Sequence, residues 1–194
     1  MKTTPTKFLI EGLDRLGKST LIQGIRNELG YYEVVHFSKP QRLAIYDSKA
    51  TIDDKVNLLQ SYYHYQHAGF ENMMRMICSD AKIIFDRAHL GEVVYSPMYR
   101  NYSGDYVYEL ENQYCLNERT DIRLILLIED FDIAKHFVDD GESLGPVEKR
   151  FEEQERFINA FWRSTIKDKK IICVTDQELG GFRCKEDILK EALA

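Results

Sequence analysis

The chain has 194 residues, enough for one domain with a small insertion and too few for two independent cores. Hydrophobic residues make up 44% and charged residues 30%, with 11 Gly and 4 Pro, which excludes disordered, collagen-like and low-complexity chains. The 26 Lys and Arg against 32 Asp and Glu leave a net charge of −6, which argues against general nucleic-acid or anionic-lipid binding but allows a small anion held by locally gathered cations.

The opening MKTTPTKF lacks the apolar core of a signal peptide, and no apolar run reaches the roughly 18 residues of a membrane helix. Cys78, Cys115, Cys173 and Cys184 form no C-x-x-C pair, so the expectation is a cytoplasmic protein with reduced thiols and no membrane partner. Short apolar runs alternate with longer helical stretches, the pattern of an α/β protein built on a parallel sheet. In chain order, strands are expected at Lys7 to Ile10, Glu33 to Phe37, Lys82 to Phe85, Arg123 to Ile128 and Lys170 to Val174. Their near-continuous apolar character suits strands covered on both faces. Helices are expected at Lys18 to Leu29, Asp53 to Ser79, Glu148 to Ile166 and Lys185 to Leu193. Phe151, Phe157, Ile158, Phe161 and Trp162 return at helical spacing and mark an apolar face on the third of these. Tyr99 to Asp105 and Asp139 to Pro146 read as loops.

The first strand runs into Gly12-Leu13-Asp14-Arg15-Leu16-Gly17-Lys18-Ser19, a full match to G-x-x-x-x-G-K-[ST]. Chance supplies such a match in a chain of this length with a probability of roughly 1%. The strand before it and the helix after it are what the mechanism requires, because successive N–H groups and a helix N-terminus together cradle a polyphosphate. The nucleotide-binding set is Gly12, Asp14, Arg15, Gly17, Lys18, Ser19 and Thr20, with Lys18 for the β- and γ-phosphates and the Ser19 hydroxyl for Mg²⁺. No N-K-x-D guanine reader follows, which disfavours a GTPase.

The third strand ends in Phe85-Asp86-Arg87. In parallel α/β sheets ligands sit beyond the carboxyl ends of the strands, so this pair should face the same crevice as the phosphate loop. There the aspartate can serve a Mg²⁺ ion or accept a proton, and the arginine can bind a phosphate bidentately.

The loop EGLDRLGKST, from Glu11 to Thr20, resembles thymidylate kinases and, more loosely, the deoxynucleoside kinases of the same P-loop superfamily. The resemblance spans most of residues 7 to 176 and implies one domain over 1–194, five parallel strands ordered 2-3-1-4-5, and a lid at about 139–147. It implies that Asp86-Arg87 organises metal and acceptor phosphate, that Arg42 grips the acceptor phosphate, and that Tyr95 packs on the deoxyribose. It places a stacking aromatic at Tyr62. One turn on, where the family carries a base-reading arginine, this chain has Gln66, whose amide offers both a donor and an acceptor. Homodimers are common in the family.

Phosphoryl transfer needs positive charge at the moving group. Thymidylate kinases place it either inside the phosphate loop or in the lid, and here Arg15 lies in the loop while Asp139 to Pro146 holds three acidic residues and no cation. The resulting expectation is transfer of the ATP γ-phosphoryl, as the Mg²⁺ complex, to a deoxynucleoside monophosphate, dTMP first, with Arg15, Lys18, Asp86 and Arg87 catalytic. The rivals are a deoxynucleoside kinase, a kinase for a modified pyrimidine nucleotide or base, and a P-loop switch without an acceptor. Residues 99–121 align with nothing in the resemblance.

Overall fold

The computed structural model describes residues 4–37, 51–130 and 149–194. Its centre is a parallel sheet of β1 (Lys7–Gly12), β2 (Glu33–His36), β3 (Ile83–Asp86), β4 (Ile122–Ile128) and β5 (Asp168–Cys173), in the order β2-β3-β1-β4-β5. Every residue of β1 is buried, as the continuous apolar run required of a central strand. Its last residue, Gly12, has φ 133°, and a Cβ there would lie 2.5 Å from the Leu127 carbonyl oxygen, so a side chain would force β1 and β4 apart.

The flanking helices are α1 (Lys18–Leu29), α2 (Ile52–Ile77), α3 (Leu90–Tyr99), α4 (Tyr106–Gln113), α5 (Arg150–Arg163) and α6 (Lys185–Leu193). A capping box starts α2: the Thr51 hydroxyl accepts from the Asp54 N–H at 3.1 Å, and the Asp54 carboxylate accepts from the Thr51 N–H at 2.9 Å. A short hairpin, β6 (Thr175–Asp176) with β7 (Gly181–Phe182), joins β5 to α6.

The five expected strands and their order are those observed, and the limits of α1 and α6 coincide with the expected ones. On α5 the apolar face is narrower than the sequence suggested. Phe157 and Phe161 are buried with Ala160, whereas Phe151 is 46% and Trp162 is 65% exposed. Residues one turn apart share a face, but Trp162 is rotated by about 100° from Phe161 and turns outward.

The unaligned stretch 99–121 is built around α4, which packs against α2 and α3. Tyr106 stacks on His67 at 5.0 Å and lies edge-on to Tyr63 at 5.2 Å, which ties α4 to α2. Glu111 is fully buried. It faces the His89 Nε2 at 2.5 Å and accepts from the Ser164 hydroxyl at 2.6 Å and the Thr165 N–H at 2.6 Å, which ties α4 to the start of α3 and the end of α5. A buried carboxylate bonded this fully holds three helices in one arrangement.

Candidate active site

The phosphate loop turns through two left-handed residues, Arg15 at φ 69° and Gly17 at φ 78°, before α1 begins at Lys18. Such a turn points backbone N–H groups inward and makes an anion-binding hollow at the helix N-terminus. Lys18 is only 7% exposed, and its ammonium donates across the hollow to the carbonyls of Gly12 at 2.9 Å and Leu13 at 2.6 Å. Burial pushes its pKa down to about 8; the nearby Arg87 charge adds to this, and Asp14, Asp86 and Glu11 oppose it.

Asp86 and Arg87 stand at the carboxyl end of β3, as the sheet topology demands. Arg87 takes φ 65°, its N–H donates to the Ile10 carbonyl at 3.0 Å, and its guanidinium pairs with the Asp14 carboxylate of the loop. Asp86 Oδ2 meets His36 Nδ1 at 2.9 Å, while its Oδ1 is buried with no hydrogen-bond partner among the described residues.

Two cavities open from this point. The larger, about 1340 Å³, runs from Asp14, Arg15, Gly17, Lys18, Ser19 and Thr20 past His36, Asp86 and Arg87 to Phe182, Arg183 and Lys185 beside α6. The smaller, about 50 Å³, is lined by Glu11, Gly12, Asp14, Phe37, Gln66, Phe70, Arg87, Glu92, Tyr95, Arg100 and Phe157, among others. Asp14 and Arg87 line both, so the pair stands where the two cavities meet. At about 50 Å³ the smaller cavity is below the usual range for a small-molecule site, roughly 300 Å³ and up, so a ligand of that size would have to widen it on entry.

Gln66 and Tyr95 both line the small cavity, with Tyr95 edge-on to Phe157 at 5.6 Å. Tyr62 does not line it: its ring lies beside Tyr102 at 6.4 Å and near the Arg100 guanidinium at 6.0 Å. The aromatic lining comes instead from Phe70 and Phe37, stacked at 5.2 Å. Arg42 and the expected lid, 139–147, lie outside the described residues.

Three further residues stand here: Glu11 and Arg100, which the sequence did not single out, and Arg150, known from the sequence only as a cation flanking the expected lid. Glu11, 1% exposed, lines the smaller cavity, and its carboxylate accepts from the Leu90 N–H at 2.8 Å. Burial holds its pKa above the usual carboxylate range, although His89 and the Leu90 N–H pull the other way. Arg150 pairs with Glu129 at 2.5 Å and donates to the Asp14 carbonyl at 2.9 Å, so the first residue of α5 grips the phosphate loop. Arg100, capping α3, lines the smaller cavity. His64 and His67 join no group of three metal-ligating side chains among the described residues.

Ser19 and Asp86 line the same cleft, and the unpartnered Asp86 oxygen is a hard, anionic donor suited to Mg²⁺. Among the described residues no helix is long and apolar enough to cross a membrane.

No family model matches the chain, and no curated protein matches it. Solved structures do. YorR from Bacillus subtilis, solved with phosphorylated GDP, superposes with a TM-score of 0.58 at 14% identity, over 95% of this chain and 91% of that one. Deoxyadenosine kinase from M. mycoides, solved with bound dCTP, gives 0.53 at 18% identity over 95% of each chain. Thymidylate kinase from Candida albicans gives 0.52 at 16% identity over 96% of this chain and 88% of that one. The five-stranded parallel sheet flanked by helices, with the phosphate loop at the end of β1, is therefore the fold of the P-loop kinases.

Proposed function

We propose that the chain transfers the γ-phosphoryl group of ATP to a deoxynucleoside monophosphate, with dTMP as the first candidate. The observation that carries this reading is the shared boundary: Asp14 and Arg87 line both the phosphate-loop cleft and the acceptor cavity, where a phosphoryl group would cross. In this reading the loop N–H groups and Lys18 hold the β- and γ-phosphates, and Arg15 supplies charge to the group in transit. Arg87 leaves Asp14 for the acceptor phosphate, and Arg42, which lies outside the described residues, is the further candidate to bind that phosphate. Ser19 and Asp86 hold Mg²⁺, which neutralises phosphate charge when bound. Gln66, Tyr95 and, behind them, Tyr62 shape the nucleoside side. Incubation with Mg-ATP and dTMP tests the reading: dTDP is the expected product, and absence of any diphosphate product rejects it.

A second reading is favoured by Glu11. Its buried carboxyl lines the acceptor cavity and has a raised pKa, which suits a base for a hydroxyl acceptor, so the chain would phosphorylate a deoxynucleoside. Thymidine offered beside dTMP separates the two, and conversion of thymidine alone would select this second reading.

A further inference from the structure

Besides Gln66 and the Asp14-paired Arg87, the acceptor cavity holds a second arginine. Arg100 reaches it from the C-cap of α3. Its Nη1 donates to Glu92 at 2.5 Å and to the Ser96 hydroxyl at 3.3 Å, and its guanidinium lies 6.0 Å from the centroid of the Tyr62 ring. The Glu92 side chain has no exposed surface, and its other oxygen is taken by the hydroxyls of Tyr102 at 2.5 Å and Tyr106 at 3.0 Å. Both of these tyrosines belong to the stretch 99–121. The carboxylate is therefore engaged on both oxygens and acts as a bracket for Arg100 rather than as an acceptor for a ligand.

We propose that Arg100, fixed by Glu92, is the specificity-determining residue of the acceptor cavity and selects bases that present a ring carbonyl, 4-oxopyrimidines and 6-oxopurines, over 4-aminopyrimidines and 6-aminopurines. This rests on the acceptor reading above. A glutamine amide can rotate to present either its oxygen or its NH₂, so Gln66 accommodates both kinds of base edge. A guanidinium has donors only, and with Nη1 engaged it still has N–H groups to offer. Facing a carbonyl it gains a charge-assisted hydrogen bond; facing an exocyclic amine it sets donor against donor in a buried site.

The test is kcat/KM for dTMP, dGMP, dCMP and dAMP with Mg-ATP, together with calorimetric binding of the four deoxynucleosides, on the native chain and on variants. Native protein should favour dTMP and dGMP over their amino counterparts by about tenfold or more. Arg100→Gln paired with Glu92→Gln, which leaves no lone buried charge, should bring the ratios within about threefold. Arg100→Lys keeps the charge but loses the planar fork, so it should retain the preference at reduced size. It decides the matter if the double variant does not fold. Equal use of amino and oxo bases by native protein, or ratios unmoved in the folded variants, would overturn the proposal. If no monophosphate is turned over, the kinase reading fails, while a carbonyl preference in binding that depends on Arg100 still upholds this one. Absence of binding by all four deoxynucleosides overturns it.

Discussion

Lys18 is an ammonium held in a place that disfavours its charge, and this gives nucleotide binding a pH dependence that can be worked out in advance. Its pKa is pushed down to about 8 from 10.5, first by burial and then by Arg87. The folded value lies below the unfolded one, so the unfolded chain binds more protons between these two values and the protein without nucleotide gains stability as pH rises through that window. Below it, keeping the buried ammonium charged costs about 3 kcal/mol. A bound triphosphate restores the charge's partner and returns the pKa to the usual lysine range or above. Binding then takes up a proton wherever the free site is neutral. Between pH 7.5 and pH 9 the affinity for a non-hydrolysable ATP analogue should fall about eightfold, with close to one proton taken up per nucleotide at the upper end. Calorimetry in buffers of different ionisation enthalpy measures both quantities. Lys18→Met should bind more weakly and without this slope. An affinity that is flat across the window in native protein, or binding with no proton uptake at pH 9, would refute the reasoning.

Asp86→Asn should lower kcat by about a hundredfold or more while the protein still folds, and a loss under fivefold in a Mg²⁺ titration would remove Asp86 from the metal and acceptor site. Arg15→Ala should reduce kcat far more than it raises KM for ATP; an effect confined to KM would move Arg15 from the transition state to ground-state binding. Gly12→Ala must place a Cβ 2.5 Å from the Leu127 carbonyl at a φ of 133°, so urea denaturation should show a loss of about 2–4 kcal/mol, and an unchanged midpoint would show that β1 and β4 can part. Burial pushes the Glu111 pKa up, but hydrogen bonds from His89, Ser164 and Thr165 outweigh it, and the net shift is downward. A depressed carboxyl stabilises above its unfolded pKa and loses that contribution as pH falls through the folded value, so Glu111→Ala should cost about 3–5 kcal/mol at neutral pH and less in acid. Equal losses at both pH values would refute this.

The sheet was legible because central parallel strands must be apolar on both faces, and Lys7 to Ile10 and Arg123 to Ile128 satisfy that within a few residues each. The phosphate loop was legible because its glycines and lysine are local in sequence. The acceptor side was not, because its members meet only through tertiary packing. Gln66 lies on α2, whereas Glu92 and the C-cap residue Arg100 belong to α3, and no sequence spacing links the two helices. Glu11 left a weak signal, a carboxylate at the end of an otherwise apolar strand. The stretch 99–121 gave none, since the match of Glu111 to His89, Ser164 and Thr165 exists only once three helices have docked. Tyr62 lies on α2 as anticipated, but its ring sits beside Tyr102 and near Arg100 and is not part of the cavity lining.

The central claim is that a phosphoryl group crosses the boundary marked by Asp14 and Arg87 to a nucleotide already bearing one phosphate. Radiolabelled γ-phosphate ATP with Mg²⁺ and each of thymidine and dTMP, resolved by chromatography, measures this directly. Label should appear in dTDP with dTMP supplied and not in dTMP with thymidine supplied. Label recovered only as inorganic phosphate, at a rate that neither acceptor changes, would contradict the account.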